Sequence, residues 1–336
     1  MNILYIIGNG LDIAHHMKTS YQDFFKYYLG QPSDDEDIRT MKENIKSHRY
    51  ETWADLEMGM GAYSSQCANK DVFLKCLIDI KSNLKIYLQK ESEKIKLYTL
   101  KSYSDFLNPG SFLEPELRNQ YDMYCNRMKS GLLINIITFN YTSTLEWLFD
   151  FKGSAKALTS TSRLDNIQHV HGMLDDMMVM GVNDISQISN TDLSSDLDVV
   201  EEFVKPEYND ACMNSKNNIC ESLISRADII VLYGTSLGLS DNKWWKLIGQ
   251  RMNQNNYPLL IYLPYDEKKN QAAEPNHLRR WVMLSIREIK KKFEIQLDEK
   301  ILASRMCVAF NKCLFNIVKT PQQPDAQKSV LRQQWK

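Results

Sequence analysis

Short, unbroken apolar runs recur along the chain, separated by longer stretches in which apolar and polar residues alternate with a helical period. The first run, 2–7, is rich in β-branched residues and long enough for only one strand. Such a run is typical of a strand buried on both faces of a parallel sheet. Further runs of this kind cover 131–140, 228–233 and 258–263. The pattern predicts an α/β fold, Rossmann-like, with a mostly parallel sheet.

The stretch between the first two runs has a different pattern. Almost all of it is helical in character, with apolar residues recurring at the spacing of amphipathic helices. We therefore predict a large helical insertion between the first and second strands of the sheet. The predicted division has three parts: a Rossmann-like domain of residues 1–30 and 131–318, a helical insertion of residues 31–130, and a flexible tail of residues 319–336.

Shorter segments complete the prediction. After the first strand, a helix is expected to break near Ser20, which can cap a second helix that follows it. The other expected segments are an alternating strand at 167–172, a strand and turn at 179–184, a loop or lid at 185–208, a basic amphipathic helix at 276–293, and an edge strand or helix at 306–318.

Composition narrows the class of protein. The chain has 336 residues, 43% hydrophobic residues and a net charge of −1, so no overall basic field favours nucleic acid, although a local patch is not excluded. Its seven cysteines include no Cys-x-x-Cys pair, as expected for reduced thiols. No segment resembles a signal peptide or a membrane span. We therefore predict a soluble, cytoplasmic protein that binds no membrane.

A glycine turn follows the first strand. In Gly8-Asn9-Gly10 the strand gives way to a helix with Asp12 near its start. A turn of this kind can present backbone N–H groups to a phosphate. The third glycine of the dinucleotide fingerprint is absent, since position 13 is Ile. The alternative is an ordinary tight turn between strand and helix.

A second loop repeats this theme after the strand at 228–233. Gly234, Thr235 and Ser236 lead through Gly238 to Asp241, just before a helix. Small hydroxyl residues and glycines here can face phosphate or ribose oxygens.

Polar residues also follow two other strands. Thr138 and Asn140 lie where open α/β sheets place ligand contacts, although Asn140 could instead be a turn residue. In the run 167–172, His169 and His171 are expected on one face of a strand. A general base is the favoured functional role for this pair, a shared metal ion is a minority interpretation, and two structural histidines are the alternative.

The segment Trp53-Ala-Asp-Leu-Glu57 lies in the predicted insertion. Read as a helix, it places Trp53 and Glu57 on one face, and we expect Trp53 in the core and Glu57 in solvent. The alternative is that Glu57 is a carboxylate carried to the mouth of the site.

Taken together, these motifs resemble the AbiH family of bacterial phage abortive-infection proteins. The family in turn is similar to the sirtuin-like NAD-binding fold. The motifs that carry the resemblance are Gly8-Asn-Gly-Leu-Asp12, Thr19-Ser-Tyr-x-Asp-Phe24, Trp53-Ala-Asp-Leu-Glu57, Thr138-Phe-Asn-Tyr-Thr142, His169-Val-His-Gly172 and Gly234-Thr-Ser-Leu-Gly238.

The resemblance implies roles for individual residues. Asn140 matches the asparagine at the nicotinamide ribose, and His171 matches the catalytic histidine. The implied NAD-binding residues are Gly8, Asn9, Gly10, Asp12, Thr138, Gly172, Gly234, Thr235, Ser236 and Asp241. The chain lacks the four-cysteine zinc module of the sirtuins that deacylate lysine, and Asn9 replaces an alanine. A protein deacylase is therefore disfavoured, and no metal is predicted.

The leading hypothesis is an anti-phage effector that binds NAD as its substrate and hydrolyses the nicotinamide–ribose bond. Asn140 would orient the ribose, His171 would act as base, and Asp12 or Asp241 would hold ribose hydroxyls. A phage-derived trigger and a second copy or neighbouring defence protein are the expected partners. Two alternatives stay open. One is a nuclease or nucleotide-processing effector, for which Glu288-Ile-Lys290 has the spacing of a metal-dependent nuclease core, although solvated charge on a Lys-rich helix is the favoured interpretation of that motif. The other is a non-catalytic nucleotide sensor or partner-binding protein.

Overall fold

A computed structural model describes residues 1–48, 50–127, 131–211, 216–254, 258–265, 275–310 and 312–320. The strands are β1 (Asn2–Ile7), β2 (Tyr98–Ser102), β3 (Leu132–Thr138), β4 (Lys156–Ala157), β5 (Ser162–His169), β6 (Ile229–Tyr233), β7 (Leu259–Leu263), β8 (Met306–Val308) and β9 (Asn316–Lys319). The α-helices are α1 (Gly10–Ala14), α2 (Tyr21–Tyr28), α3 (Glu36–His48), α4 (Leu56–Tyr63), α5 (Lys70–Ser92), α6 (Ser104–Leu107), α7 (Pro115–Arg127), α8 (Thr144–Phe149), α9 (Leu197–Phe203), α10 (Lys205–Ala211), α11 (Lys216–Arg226), α12 (Asn242–Met252), α13 (Pro275–Lys292) and α14 (Glu299–Ala303).

Seven strands form one sheet in the order β4-β5-β3-β1-β6-β7-β8. The pairs β5–β3, β3–β1, β1–β6, β6–β7 and β7–β8 are all parallel. In this sheet only the short β4 runs antiparallel to its neighbour, β5. At the end of the central strand β1, Ile7 pairs with Thr138 on one side and with Tyr233 on the other. The predicted α/β, Rossmann-like, mostly parallel fold is confirmed.

The unbroken apolar sequence of β1 reflects burial on both faces of the sheet. Ile3, Tyr5 and Ile7 pack into one apolar cluster with side chains from α6, α7 and α8. Leu4 and Ile6 pack into a second cluster, with side chains from α11, α12, α13 and α14. Successive side chains of a strand point to opposite faces, so helices on both sides demand an apolar residue at every position.

A third apolar cluster forms between α2, the helices α3 to α5, and the segment that runs from Leu174 to Val204. Phe25 and Trp53 lie near its centre and are fully buried, with ring centroids 6.1 Å apart. The prediction that Trp53 belongs to a core is therefore confirmed. The cluster attaches the helices that follow β1 to a distant part of the chain, and its edge borders the carboxyl ends of the strands.

Several local predictions are also confirmed. Ser20 caps α2 by accepting a hydrogen bond from the amide of Asp23, at 3.2 Å. The run 258–263 contains the parallel strand β7, residues 276–292 lie in α13, and Met306–Val308 is the edge strand β8.

The stretch 31–130 is mostly helical, as predicted, and one short strand within it, β2, pairs antiparallel with β9. Two other local predictions are wrong. The strand expected at 179–184 is only an isolated bridge between Val182 and Val204. The alternating strand ends at His169, two residues before His171.

The division into domains remains a prediction. Most of the predicted tail, residues 321–336, lies outside the described residues; Lys319 ends β9, and the amide of Thr320 donates a hydrogen bond to the carbonyl of Leu97 at 2.8 Å. Among the helices of the described ranges, none is long and apolar enough to cross a membrane.

Candidate functional site

The carboxyl ends of β1, β3, β5 and β6 meet at one edge of the sheet. On one side of β1 the sheet continues with β3 and then β5. On the other side it continues with β6 and then β7, so the strand order runs in opposite directions from the centre. Such a reversal of strand order opens the crevice in which open α/β sheets bind ligands. A cavity of about 360 Å³ lies here, which is within the size range of small-molecule sites. Its lining includes Gly8, Asn9, Gly10, Asp12, Glu57, Asn140, His171, Gly234, Thr235, Ser236 and Asp241.

The two glycine loops are bonded to each other. The amide of Gly8 donates to the carbonyl of Tyr233 at 2.9 Å, and the amide of Gly10 donates to the carbonyl of Gly234 at 2.8 Å. A Cβ on Gly10 would lie 2.5 Å from the Cα of Gly234, which itself has a φ of +62°. The glycines therefore permit close packing of the loops. The amides of Gly8 and Gly10 are engaged in that packing and not directed at a phosphate.

In the second loop, backbone N–H groups are available as hydrogen-bond donors. Within the described part of the chain, the amides from Thr235 to Gly238 make no hydrogen bond, whereas the carbonyls of Thr235 and Leu237 accept bonds from Tyr262 and Lys292. The carbonyl of Gly238 accepts the indole N–H of Trp245 at 2.8 Å. The loop is therefore fixed through its carbonyls, and its amides are the donors available to an anion.

Asn140 is the most unusual polar residue of the cavity. It is 7% exposed, and neither the oxygen nor the nitrogen of its carboxamide has a hydrogen-bond partner in the described residues. Its backbone is fixed, because its amide donates to Thr138 Oγ1 at 3.1 Å and its carbonyl accepts from His169 Nδ1 at 2.8 Å. Thr235 Oγ1 is likewise buried and unpartnered. Buried polar groups are almost always hydrogen-bonded, so these groups point to a ligand.

Four charged or ionisable side chains form a cluster at one side of the cavity. Lys205 Nζ lies 3.2 Å from Glu57 Oε1 and 3.0 Å from Asp241 Oδ1. His171 Nε2 lies 2.9 Å from the same oxygen of Asp241, but the contact is not aligned as a hydrogen bond. Phe139 and Tyr141 flank the His171 ring at centroid distances of 5.4 and 6.1 Å. The histidine is thus held by a carboxylate and two aromatic rings.

The ionisation of this cluster is governed by burial and by its own charges. Burial raises the pKa of Glu57, although Lys205 acts in the opposite direction. Burial also opposes the ionisation of Asp241, but the charges of Lys205 and His171 outweigh it and hold the pKa of Asp241 well below its usual range. The pKa of Lys205 is raised because Asp241 and Glu57 outweigh the effect of burial. Asp241 is therefore an anion, and Lys205 a cation, at neutral pH.

Asp12 lines the cavity but its carboxylate is occupied. Its two oxygens accept hydrogen bonds from Thr142 Oγ1 at 2.7 Å and Thr144 Oγ1 at 2.8 Å. Burial raises the pKa of Asp12 from 3.8 to about 6, while both threonine hydrogen bonds lower it. Asp12 thus connects α1 to the start of α8.

Asn9 also uses its side chain within the protein. Its Nδ2 donates to the carbonyl of Thr19 at 2.8 Å, and its Oδ1 accepts from Thr19 Oγ1 at 2.5 Å. These two bonds fix the segment between α1 and α2 against the first glycine loop. Of the residues predicted to contact NAD, Asn9 and Asp12 therefore border the cavity with side chains that are already bonded.

Two predicted site residues do not line the cavity. Thr138 Oγ1 donates to the carbonyl of Ile7 at 3.0 Å and joins two strands. Gly172 has a φ of +73°, and a Cβ there would lie 1.6 Å from the carbonyl of Met177. The expectation that His169 and His171 share a face is wrong, because His169 points away to Asn140 and Glu146, with Nε2 2.9 Å from Glu146 Oε1.

The expectation that Glu57 lies in solvent is also wrong. Trp53 precedes α4, whose N-cap is Asp55, and Glu57 in the first turn is 2% exposed and lines the cavity. The sequence could identify Glu57 as a site residue only through the alternative interpretation of the Trp53-to-Glu57 motif, in which Glu57 is carried to the mouth of the site. Lys205 was missed altogether, because nothing in the pattern of 185–208 distinguishes it from a surface lysine.

The residues of the nuclease alternative lie elsewhere. Glu288 is on α13, where it forms an exposed ion pair with Lys292 at 3.0 Å. Within the described ranges there is no group of three or more His, Cys, Asp or Glu side chains arranged to hold a metal ion.

The chain is similar to a known protein family. A family model described as "Bacteriophage abortive infection AbiH" matches residues 4–263. No curated protein matches the chain. The matched region begins in β1 and ends with β7, and it contains both glycine loops, Asn140 and the four residues of the charged cluster.

Proposed function

The chain belongs to the AbiH family of bacteriophage abortive infection proteins, since the family model covers well over half of it, and from this premise we propose that it binds NAD and hydrolyses the bond between nicotinamide and ribose. The family places the chain in phage defence. A sirtuin-like arrangement of the NAD site and the hydrolysis itself are our proposal.

The observation that carries the proposal is the unpartnered carboxamide of Asn140. Its oxygen and nitrogen are both buried at the cavity and bonded to nothing among the described residues. A carboxamide provides two donors and an acceptor, and a ribose or a nicotinamide amide can satisfy these groups. Burying such a group without a partner costs free energy, and ligand binding recovers it. Asn140 is therefore suited to orienting the nicotinamide–ribose half of NAD.

His171 supports a hydrolytic role. In the reaction, the bond from ribose C1′ to the nicotinamide nitrogen breaks, and its electron pair remains on that nitrogen. Water oxygen bonds to C1′, and His171 accepts the proton that this water loses. Asp241, 2.9 Å from His171 Nε2, stabilises the protonated ring that results. Nicotinamide leaves as a neutral molecule, so the site needs no acid on the leaving side.

The other half of the ligand has a place as well. The diphosphate is expected at the amides from Thr235 to Gly238, which have no partner in the described residues. This assignment differs from the expectation that both glycine loops face phosphate. Carboxylates repel a diphosphate, and Asp12 is already bonded to two threonines. The phosphate contacts therefore come from the second loop.

The test is to measure NAD and free nicotinamide in cells that express the chain, with and without phage. We expect NAD to fall and nicotinamide to rise with wild type, but not with Asn140→Ala or His171→Ala. Asn135→Ala is the control, because Asn135 is buried on β3, the strand that precedes Asn140, and borders a different, smaller cavity. Growth arrest in cells whose NAD stays constant would exclude this substrate.

A further inference from the structure

We propose that Glu57 is a further catalytic carboxylate of this site, facing the ribose as its bond to nicotinamide breaks, and that Lys205 is the residue that positions it. The inference rests on the proposed NAD hydrolysis and adds a residue and a selectivity that neither the family match nor the paired His171 and Asp241 supply.

The backbone delivers Glu57 to the cavity in a defined way. Asp55 caps α4, with Oδ1 accepting the amides of Glu57 and Met58 at 3.1 and 3.2 Å. The other oxygen of Asp55 accepts from Ser240 Oγ at 3.0 Å, which ties the start of α4 to the loop after β6. The first turn of α4 therefore projects Glu57 across the sheet edge, where it is 2% exposed and lines the cavity.

One carboxylate oxygen of Glu57 is bound by the protein. Glu57 Oε1 lies 3.2 Å from Lys205 Nζ and accepts the amide of Gly181 at 3.4 Å. For Glu57 Oε2, no hydrogen bond to a described residue is present. Glu57 thus has one oxygen fixed and one available to a ligand, as expected for a residue that acts on substrate.

The charges of the cluster do not balance. Glu57 and Asp241 share the single ammonium of Lys205, which also donates to the carbonyl of Ser240 at 3.1 Å. With Glu57 ionised and His171 neutral, the cluster carries one net negative charge beside an enclosed space. A buried net charge is costly unless an opposite charge approaches it. A ligand that is positive near Glu57 relieves this cost.

Oxidised NAD supplies that positive charge at two stages of the reaction. Its nicotinamide ring is cationic in the bound substrate, and the ribose becomes cation-like as the glycosidic bond breaks. A fixed carboxylate beside the developing charge lowers the barrier, because it is oriented in advance. The reduced dinucleotide has a neutral ring, so the site should bind the oxidised form more tightly.

Lys205 determines whether Glu57 carries its charge. The ionisable groups around Glu57 come from several elements: Tyr21 of α2, Asp55 before α4, Tyr141 after β3, His171 after β5, Lys205 of α10 and Asp241 after β6. Burial raises the pKa of Glu57, and Lys205 is the strongest influence that lowers it. Without the ammonium, the pKa of Glu57 should rise further, so a smaller fraction of Glu57 should carry the charge that acts on the ribose.

The first experiment compares NAD hydrolysis by wild type, Glu57→Gln and the control Glu221→Gln. Glutamine keeps the shape of Glu57 but removes its negative charge, so we expect kcat to fall about 100-fold with KM changed by less than about threefold. Glu221 is paired with Lys243 at 2.9 Å, outside the cavity lining, so its variant should retain wild-type kcat. An unchanged kcat in Glu57→Gln overturns this inference alone. Wild type that neither binds nor cleaves NAD removes the proposed function and the inference with it.

The second experiment distinguishes a positioning role of Lys205 from a purely structural role. Lys205→Met should be slow at pH 7 and regain activity as pH rises, because a Glu57 with no ammonium beside it ionises only at higher pH. The double variant Glu57→Gln/Lys205→Met should stay slow at every pH. It buries one negative charge fewer than Lys205→Met does, so its folding should be less affected. A Lys205→Met profile parallel to wild type overturns the positioning role. Equal affinity of wild type for oxidised and reduced dinucleotide overturns the charge argument.

Discussion

Replacing Asn140 with Ala should make the free protein no less stable while it removes ligand binding. The two atoms of the Asn140 carboxamide are buried without a partner, and each such group costs about 1–3 kcal/mol relative to its hydrated state in the unfolded chain. Alanine removes both penalties, at the cost of the few van der Waals contacts that the Asn140 side chain makes. We expect the free energy of unfolding to stay constant or to rise by about 1–2 kcal/mol.

Binding should change in the opposite direction. Losing two hydrogen bonds to a buried ligand weakens affinity by about 2–3 kcal/mol, which is roughly 30- to 150-fold in Kd. At a NAD concentration of about 100 times the wild-type Kd, the ligand stabilises wild type by about 2.7 kcal/mol. A variant with Kd weakened about 100-fold gains only about 0.4 kcal/mol at the same concentration. The ligand-induced rise in Tm should therefore almost disappear.

The assay is thermal unfolding of wild type, Asn140→Ala and Asn135→Ala with and without NAD. Asn135 is 6% exposed, its Oδ1 also lacks a partner in the described residues, and it borders a separate cavity of about 70 Å³. Its variant should keep the full ligand-induced shift. A loss of several kcal/mol in free Asn140→Ala, or a full NAD-induced shift in that variant, would refute the assignment of Asn140 to the ligand.

Two other predictions concern stability. The folded-state pKa of Asp12 is raised from 3.8 to about 6. Its contribution to the free energy of unfolding is therefore fully present below pH 4, and about 3 kcal/mol of that free energy is lost as pH rises through 6. The folded-state pKa of His15 is lowered from 6.5 to about 4, so about 3 kcal/mol is lost as pH falls over a similar range. Relative to wild type, the free energy of unfolding measured with denaturant from pH 4 to 7 should therefore rise with pH in Asp12→Asn and fall with pH in His15→Leu; curves parallel to wild type would contradict the assigned shifts. For the glycine loops, Gly234→Ala should cost more than the roughly 1–2 kcal/mol expected for Gly153→Ala, because both have a positive φ but only Gly234 has backbone within 3 Å of the added Cβ. Equal Tm losses would show that the loops can separate without cost.

The parts of the fold that follow from local pattern were accessible from the sequence. A run such as 2–7 has an apolar residue at nearly every position, and only a strand covered on both faces needs this. Ser20 follows the same logic, because a side-chain cap acts within three residues of its own position. The glycine turns were also evident, since small residues are required where two backbones approach closely.

Other features could not be predicted, because they depend on residues far away in the chain. β2 is short, and only pairing with β9, more than 200 residues later, makes it a strand. The two histidines of 167–172 separate because β5 ends at His169, whose partners lie 29 and 23 residues earlier. No local period contains such information.

For the candidate site, the sequence determined which loops reach the carboxyl edge of the sheet, and the tertiary structure decided which side chains face the cavity. Glu57 and Lys205 have the residue types of surface positions, and they are buried because Lys205, 148 residues from Glu57, supplies the charge opposite to Glu57 and Asp241. Burial of a charge depends on its partner in space. Hydrophobic periodicity is set by neighbours within a few residues, so it predicts strands and helices well and buried ion pairs not at all.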